Sequence, residues 1–145
     1  MTKALYTAEA HVTGGRVAGH GRTADGALEV DLRLPKEMGG DGGGTNPEQL
    51  FAIGYAACFE SALGVVARRQ HQETSDAEIR SQVTLSSTGT GGFELGVSLD
   101  VTLPSVSDSP TAAALVRAAH EVCPYSNATR GNIVVALTVN GEALD

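Results

Sequence analysis

The chain has 145 residues, a net charge of −7 and an isoelectric point near 5.0. That balance argues against a nucleic-acid or anionic-membrane partner, because phosphate binding needs a basic surface. Aromatic residues make up 4% with no Trp, too few to stack single-stranded bases, and the two cysteines form neither a disulfide scaffold nor a CxxC motif for zinc or thiol exchange.

A single domain over residues 1–145 is expected. A chain of this size buries roughly 68–70% of its unfolded surface, enough for a core without a metal. The start, "MTKALYTAEAHVTGG", has no apolar core of a signal peptide, and no apolar run reaches the ~18 residues of a membrane span. A cytoplasmic protein without membrane insertion is the expectation.

In chain order, "ALYTAEAHVT" reads as a strand closed by the turn "TGG", and "RVAGHGR" as a second short strand. Asp25-Gly26 is a hairpin turn pair leading to "ALEVDLRLP", where Leu28, Val30, Leu32 and Leu34 alternate with charged residues. "KEMGGDGGG" lacks the GK[ST] of a phosphate-binding loop and reads as a mobile lid or connector.

"TNPEQLFAIGYAACFESALGVVARRQ" predicts a long helix, apolar on most faces and therefore central. Thr45 or Asn46 can cap it, Pro47 suits the first turn, Thr45-x-x-Glu48 matches a capping box, and Arg68 and Arg69 suit the far end. "AEIRSQVTLSST" and "GFELGVSLDVTLP" predict two strands across a "GTGG" turn. "SDSPTAAALVRAAHEV" predicts a second helix capped by Asp108 or Ser109 and stopped at "CPYSN" by Pro124. "NIVVALTVNG" is a last strand. Hairpins interleaved with two main helices indicate an α+β fold with antiparallel sheets.

Cys58 lies in "GYAACFESALG" with no basic residue within four positions on either side. It is a buried apolar thiol or a reactive one. It sits about three turns into its helix, beyond reach of the N-terminal partial charge, and apolar burial raises a thiol's pKa. Reactivity therefore requires a cation brought by the fold. The negative end of the second helix disfavours a thiolate at Cys123, an asymmetry that fits Cys58 attacking and Cys123 resolving.

"GTNPEQLFAIGYAACF" and "VCPYSNATRGN" resemble the two signature segments of the organic hydroperoxide resistance proteins, the Ohr branch of the OsmC/Ohr family. "YTAEAHVTGGR", "DGALEVDLRLP" and "NIVVALTVNG" are similar to that family as well, so the resemblance covers nearly the whole chain. It implies an intertwined α+β homodimer with active sites at the subunit interface, acting as a thiol-dependent peroxidase on organic or fatty-acid hydroperoxides. Cys58 matches the peroxidatic and Cys123 the resolving cysteine. Arg16 matches the arginine that stabilises thiolate and peroxide, and Glu48 the carboxylate that orients it. The implied reductant is a dihydrolipoyl dithiol on a lipoylated protein, with no bound cofactor or metal. Leu50, Phe51, Ile53, Tyr55 and Phe59 are candidates to line an apolar substrate pocket.

Glu48 and Cys58 are ten residues apart, ~15 Å along a straight helix, so Arg16 and Glu48 are expected to serve the cysteines of the partner subunit. Alternatives are an OsmC-type peroxidase of broader preference, or a non-catalytic dimer that binds an apolar ligand. His11, His20, His71 and His120 show no metal-ligand spacing. Arg130 is a rival cation for Cys58, and Tyr125 and Asn127 either line or order the second cysteine's loop.

Overall fold

The computed structural model describes residues 2–145. The chain divides into two compact units, one ending at Leu50 and the other running from Phe51 to Asp145.

The first unit holds strands β1 (Ala10–Thr13), β2 (Ala18–Thr23) and β3 (Glu29–Arg33) in one antiparallel sheet of that order. The expected first strand is shorter than its sequence suggests. Its ladder ends at the Ala10–Thr23 pair, where the partner strand turns away, and Leu5 and Tyr6 are exposed. The β1–β2 turn depends on Gly14, at φ 77°, where a Cβ would sit 2.1 Å from the Ala18 carbonyl oxygen. This tight turn presents Arg16. The Gly-rich segment is pinned rather than free: the Gly42 amide bonds the Leu34 carbonyl, and Thr45 bridges to β3.

Helix α1 (Pro47–Arg69) begins in the first unit and continues through the second. Asn46 caps it by accepting the Gln49 amide at 2.8 Å, while the Thr45 hydroxyl bonds the Gln49 side chain. By length and composition α1 would pass for a membrane span, contrary to expectation. Its apolarity has another explanation. Tyr55, Phe59, Leu63 and Val66 are buried in the core of the second unit.

That unit adds β4 (Glu78–Ser87), β5 (Phe93–Thr102), α2 (Ser109–Val122), α3 (Pro124–Thr129), β6 (Val135–Val139) and β7 (Glu142–Ala143). The predicted α+β architecture with two main helices is present. The second sheet, ordered β4-β5-β6-β7, is however mixed: β5 and β6 run parallel. The α2–α3 crossover between them supplies the connection a parallel pair needs. Inward-facing Val97, Leu99 and Val101 of β5 pack with Leu115, Val116 and Ala119 of α2 and with Leu137 and Val139 of β6. Pro124 ends α2 and also opens α3, since a residue without an N–H suits a first helical turn.

The β6–β7 turn is Asn140-Gly141, both at positive φ (48° and 84°). The Asn140 carboxamide accepts the Leu103 amide at 2.7 Å and donates to the Val106 carbonyl at 3.2 Å. Asn140→Ala loses these bonds and a longer third one to the Leu103 carbonyl, and keeps a left-handed backbone, so a destabilisation of about 2 kcal/mol is expected in urea melts.

Candidate active site

In the first unit, Arg16 and Glu48 form a two-pronged ion pair. Nη1 donates to Oε2 and Nη2 to Oε1, each at 3.0 Å. Glu48 is thus turned to a residue 32 positions away, and the capping box with Thr45 does not form. The hydrogen bond from Arg16 holds the Glu48 carboxyl below its usual range against partial burial, and Glu48 in turn raises Arg16. A fork held this way presents its remaining N–H groups in one direction. The side chains of Val12, Leu28, Val30, Leu32 and Leu50 line an apolar cavity of about 410 Å³ beside Arg16.

In the second unit, Cys58 on α1 and Cys123 between α2 and α3 are free thiols with sulfurs 3.5 Å apart. Cys58 is half-buried and Cys123 fully buried. Burial pushes the Cys58 thiol up, and the neighbouring Cys123 adds to this. Within this unit one group opposes it: the nearby backbone N–H of Tyr125, which favours the Cys58 thiolate. Nothing in the sequence around Cys58 signals that donor, which comes from the first turn of α3.

Tyr125 is seated by an aromatic cluster. Its ring centroid lies 5.7 Å from Phe51 and 5.6 Å from Tyr55. It also needs Gly54, because a Cβ there would stand 2.9 Å from the Tyr125 hydroxyl oxygen. Gly54→Ala gains about 1 kcal/mol of helix propensity but overpacks this contact; a net loss of about 1 kcal/mol is expected by thermal melting.

The pocket candidates are placed differently from one another. Phe51 and Tyr125 line a cleft of about 550 Å³ with Phe93, Leu95 and Ile133. Phe59 is core, Tyr55 is core with its hydroxyl bonded to Ser126 and Thr129, and Ile53 is 70% exposed. The rival cation Arg130 is committed elsewhere, to the His120 carbonyl and the Asn127 side chain. His20 is exposed between Asp31 and Glu29, which raise its pKa; His71 lies in the turn after α1, at φ 55°.

Fold and site together define a two-cysteine α+β protein with paired thiols and a bidentate arginine–carboxylate clamp. Residues 40–138 match the family model described as OsmC-like protein. Organic hydroperoxide resistance protein OhrB of Bacillus subtilis is 50% identical over 135 residues, covering 92% of this chain and 97% of its own. The organic hydroperoxide resistance protein of Xanthomonas axonopodis pv. citri is 49% identical over 139 residues, covering 94% and 96%. A solved organic hydroperoxide resistance protein from Legionella pneumophila superposes with a TM-score of 0.88 at 53% identity, covering 94% of this chain and 98% of that one. The chain belongs to the OsmC-like family, alongside the organic hydroperoxide resistance proteins.

Proposed function

We propose that the protein is a thiol-dependent peroxidase that reduces organic hydroperoxides to alcohols. The Cys58 thiolate attacks the distal oxygen of ROOH. The O–O bond breaks, RO⁻ takes a proton and leaves as ROH, and Cys58 becomes a sulfenic acid. The Cys123 thiol then displaces water from that sulfur, and the S–S bond forms. An external dithiol, in this reading a dihydrolipoyl group on a lipoylated protein, restores both thiols.

The observation that carries this reading is the 3.5 Å separation of two free sulfurs from residues distant in sequence. Little motion takes them to the ~2.05 Å of a bond. The family's hydroperoxide-resistance relatives support the substrate class. The apolar cleft beside Phe51 and Tyr125 suits an alkyl or acyl chain better than hydrogen peroxide.

Burial alone leaves Cys58 a poor nucleophile. In this reading the missing cation is Arg16, held in its fork by Glu48 and supplied within a homodimer by the partner subunit. Glu48 and Cys58 stand ten residues apart on one continuous helix, ~15 Å along its axis. The exposed Leu5, Tyr6, Val12 and Val17 of the first unit suit burial against a second copy. The working compartment is the cytoplasm, where thiols are kept reduced.

The test uses the reduced protein and one equivalent of cumene hydroperoxide, followed by thiol titration and intact mass. Loss of both thiols with the mass of two hydrogens is expected. Two unreacted thiols in the folded protein would overturn the reading in favour of apolar-ligand binding.

A further inference from the structure

We propose that Tyr55, Ser126 and His120 are positioning residues that hold Cys123 against Cys58 and so set the rate of disulfide formation. The inference rests on the peroxidase reading. The Tyr55 hydroxyl and Ser126 Oγ are 2.8 Å apart, and Ser126 Oγ is 2.8 Å from His120 Nδ1. Thr129 Oγ1 closes the group at 3.2 Å from Tyr55 and donates to the Ser126 carbonyl. Tyr55 and Ser126 are fully buried.

The placement in the chain is what gives this group its effect. Tyr55 precedes Cys58 by three residues on α1. Ser126 follows Cys123 by three, and His120 precedes it by three at the end of α2. Tyr55, Ser126 and His120 are therefore each about one helical turn from a cysteine. Through the single Ser126 hydroxyl, within hydrogen-bond distance of both Tyr55 and His120, α3 is tied to both α1 and α2. Burial and the nearby Arg130 guanidinium lower the His120 pKa and so favour the neutral imidazole in this chain. Arg130 fastens the far end of α3 to the His120 carbonyl.

Apolar packing would fill this volume without the desolvation of four polar groups. Hydrogen bonds add direction: they fix the rotation and height of α3 on α1. That register decides whether Cys123 faces the sulfenic acid of Cys58 or misses it. A displacement near 1 Å at reacting atoms costs up to ~10²-fold in rate.

The experiment mixes reduced protein rapidly with cumene hydroperoxide, with and without dimedone, and follows intact mass and free thiols. Wild type is expected to pass to the disulfide with little dimedone adduct. Ser126→Ala and Tyr55→Phe are expected to slow disulfide formation at least ~10-fold relative to the attack on peroxide, and to accumulate the Cys58 adduct. Ser126→Thr, which keeps the hydroxyl, is expected to restore the wild-type partition. Tyr55→Phe keeps the ring and guards against a folding defect in the serine variant. Folded variants with wild-type partition between adduct and disulfide would overturn the inference alone. Wild-type thiols that ignore the peroxide would overturn the peroxidase reading and this inference with it.

Discussion

Cys58→Ser is expected to lose at least ~10³-fold in hydroperoxide consumption, measured with a dithiol reductant in excess. The scale is that of deleting a catalytic nucleophile, because a serine hydroxyl stays protonated where a thiol can ionise. The fold should survive, since Cys58 is half-buried and the two side chains differ little in size. Cys123→Ser separates the steps. Its first equivalent of peroxide should still oxidise Cys58, but the sulfenic acid has no partner at 3.5 Å. With excess peroxide it should climb to the irreversible sulfinic state, seen as added oxygen in the intact mass. Equal turnover by Cys58→Ser and wild type would remove the thiol from the mechanism.

Removing the clamp should have the next largest effect. Arg16→Gln is expected to cost ~10²–10³-fold in kcat/KM, the scale of losing a preorganised donor at a developing charge. It should also raise the Cys58 pKa, read from the pH dependence of alkylation by iodoacetamide. Arg16→Lys should not rescue, because an ammonium cannot reproduce the two parallel 3.0 Å bonds to Glu48. Glu48→Gln keeps the charge and loosens its aim, so a smaller loss is expected. An Arg16→Gln protein with unchanged alkylation profile and turnover would sink this role.

The pair also sets a pH limit. Glu48 has its pKa lowered from 4.5 by the hydrogen bond from Arg16. Its contribution is therefore complete above the unfolded value and is lost as pH falls through the lower folded one. The Arg16 side chain is 35% exposed, so screening holds the stability involved to about 1 kcal/mol or less. In the peroxidase reading proposed above, the value of the pair lies in orientation.

Local chemistry made much of this protein legible in the sequence. Pro47 and Pro110 mark first turns, Asn46 and Asp108 accept the amides that caps require, and Asp25-Gly26 turns a hairpin. Such signals act over three or four residues and need no distant partner. The family resemblance singled out Cys58, Cys123, Arg16 and Glu48 and paired Arg16 with Glu48 and Cys58 with Cys123; the structure supplies the geometry of both pairs. Thr45-x-x-Glu48 reads as a capping box, yet Glu48 accepts from Arg16. A local bond and a distant one compete for the same carboxylate, and charge with two-pronged geometry favours the guanidinium.

Composition, periodicity and capping residues were enough to determine an acidic α+β chain with two main helices and thiols on each of the two segments. Tertiary structure alone decided that β5 and β6 run parallel, that Tyr55 is a buried hydrogen-bonding group rather than a pocket wall, and that the Tyr125 amide counters the effect of burial on Cys58. It also decided that two sulfurs 65 residues apart in sequence come within 3.5 Å. The helical and strand periods of a sequence say which face a residue occupies. Which other face it meets depends on how whole elements bury their apolar area together, and no short window of residues contains that information.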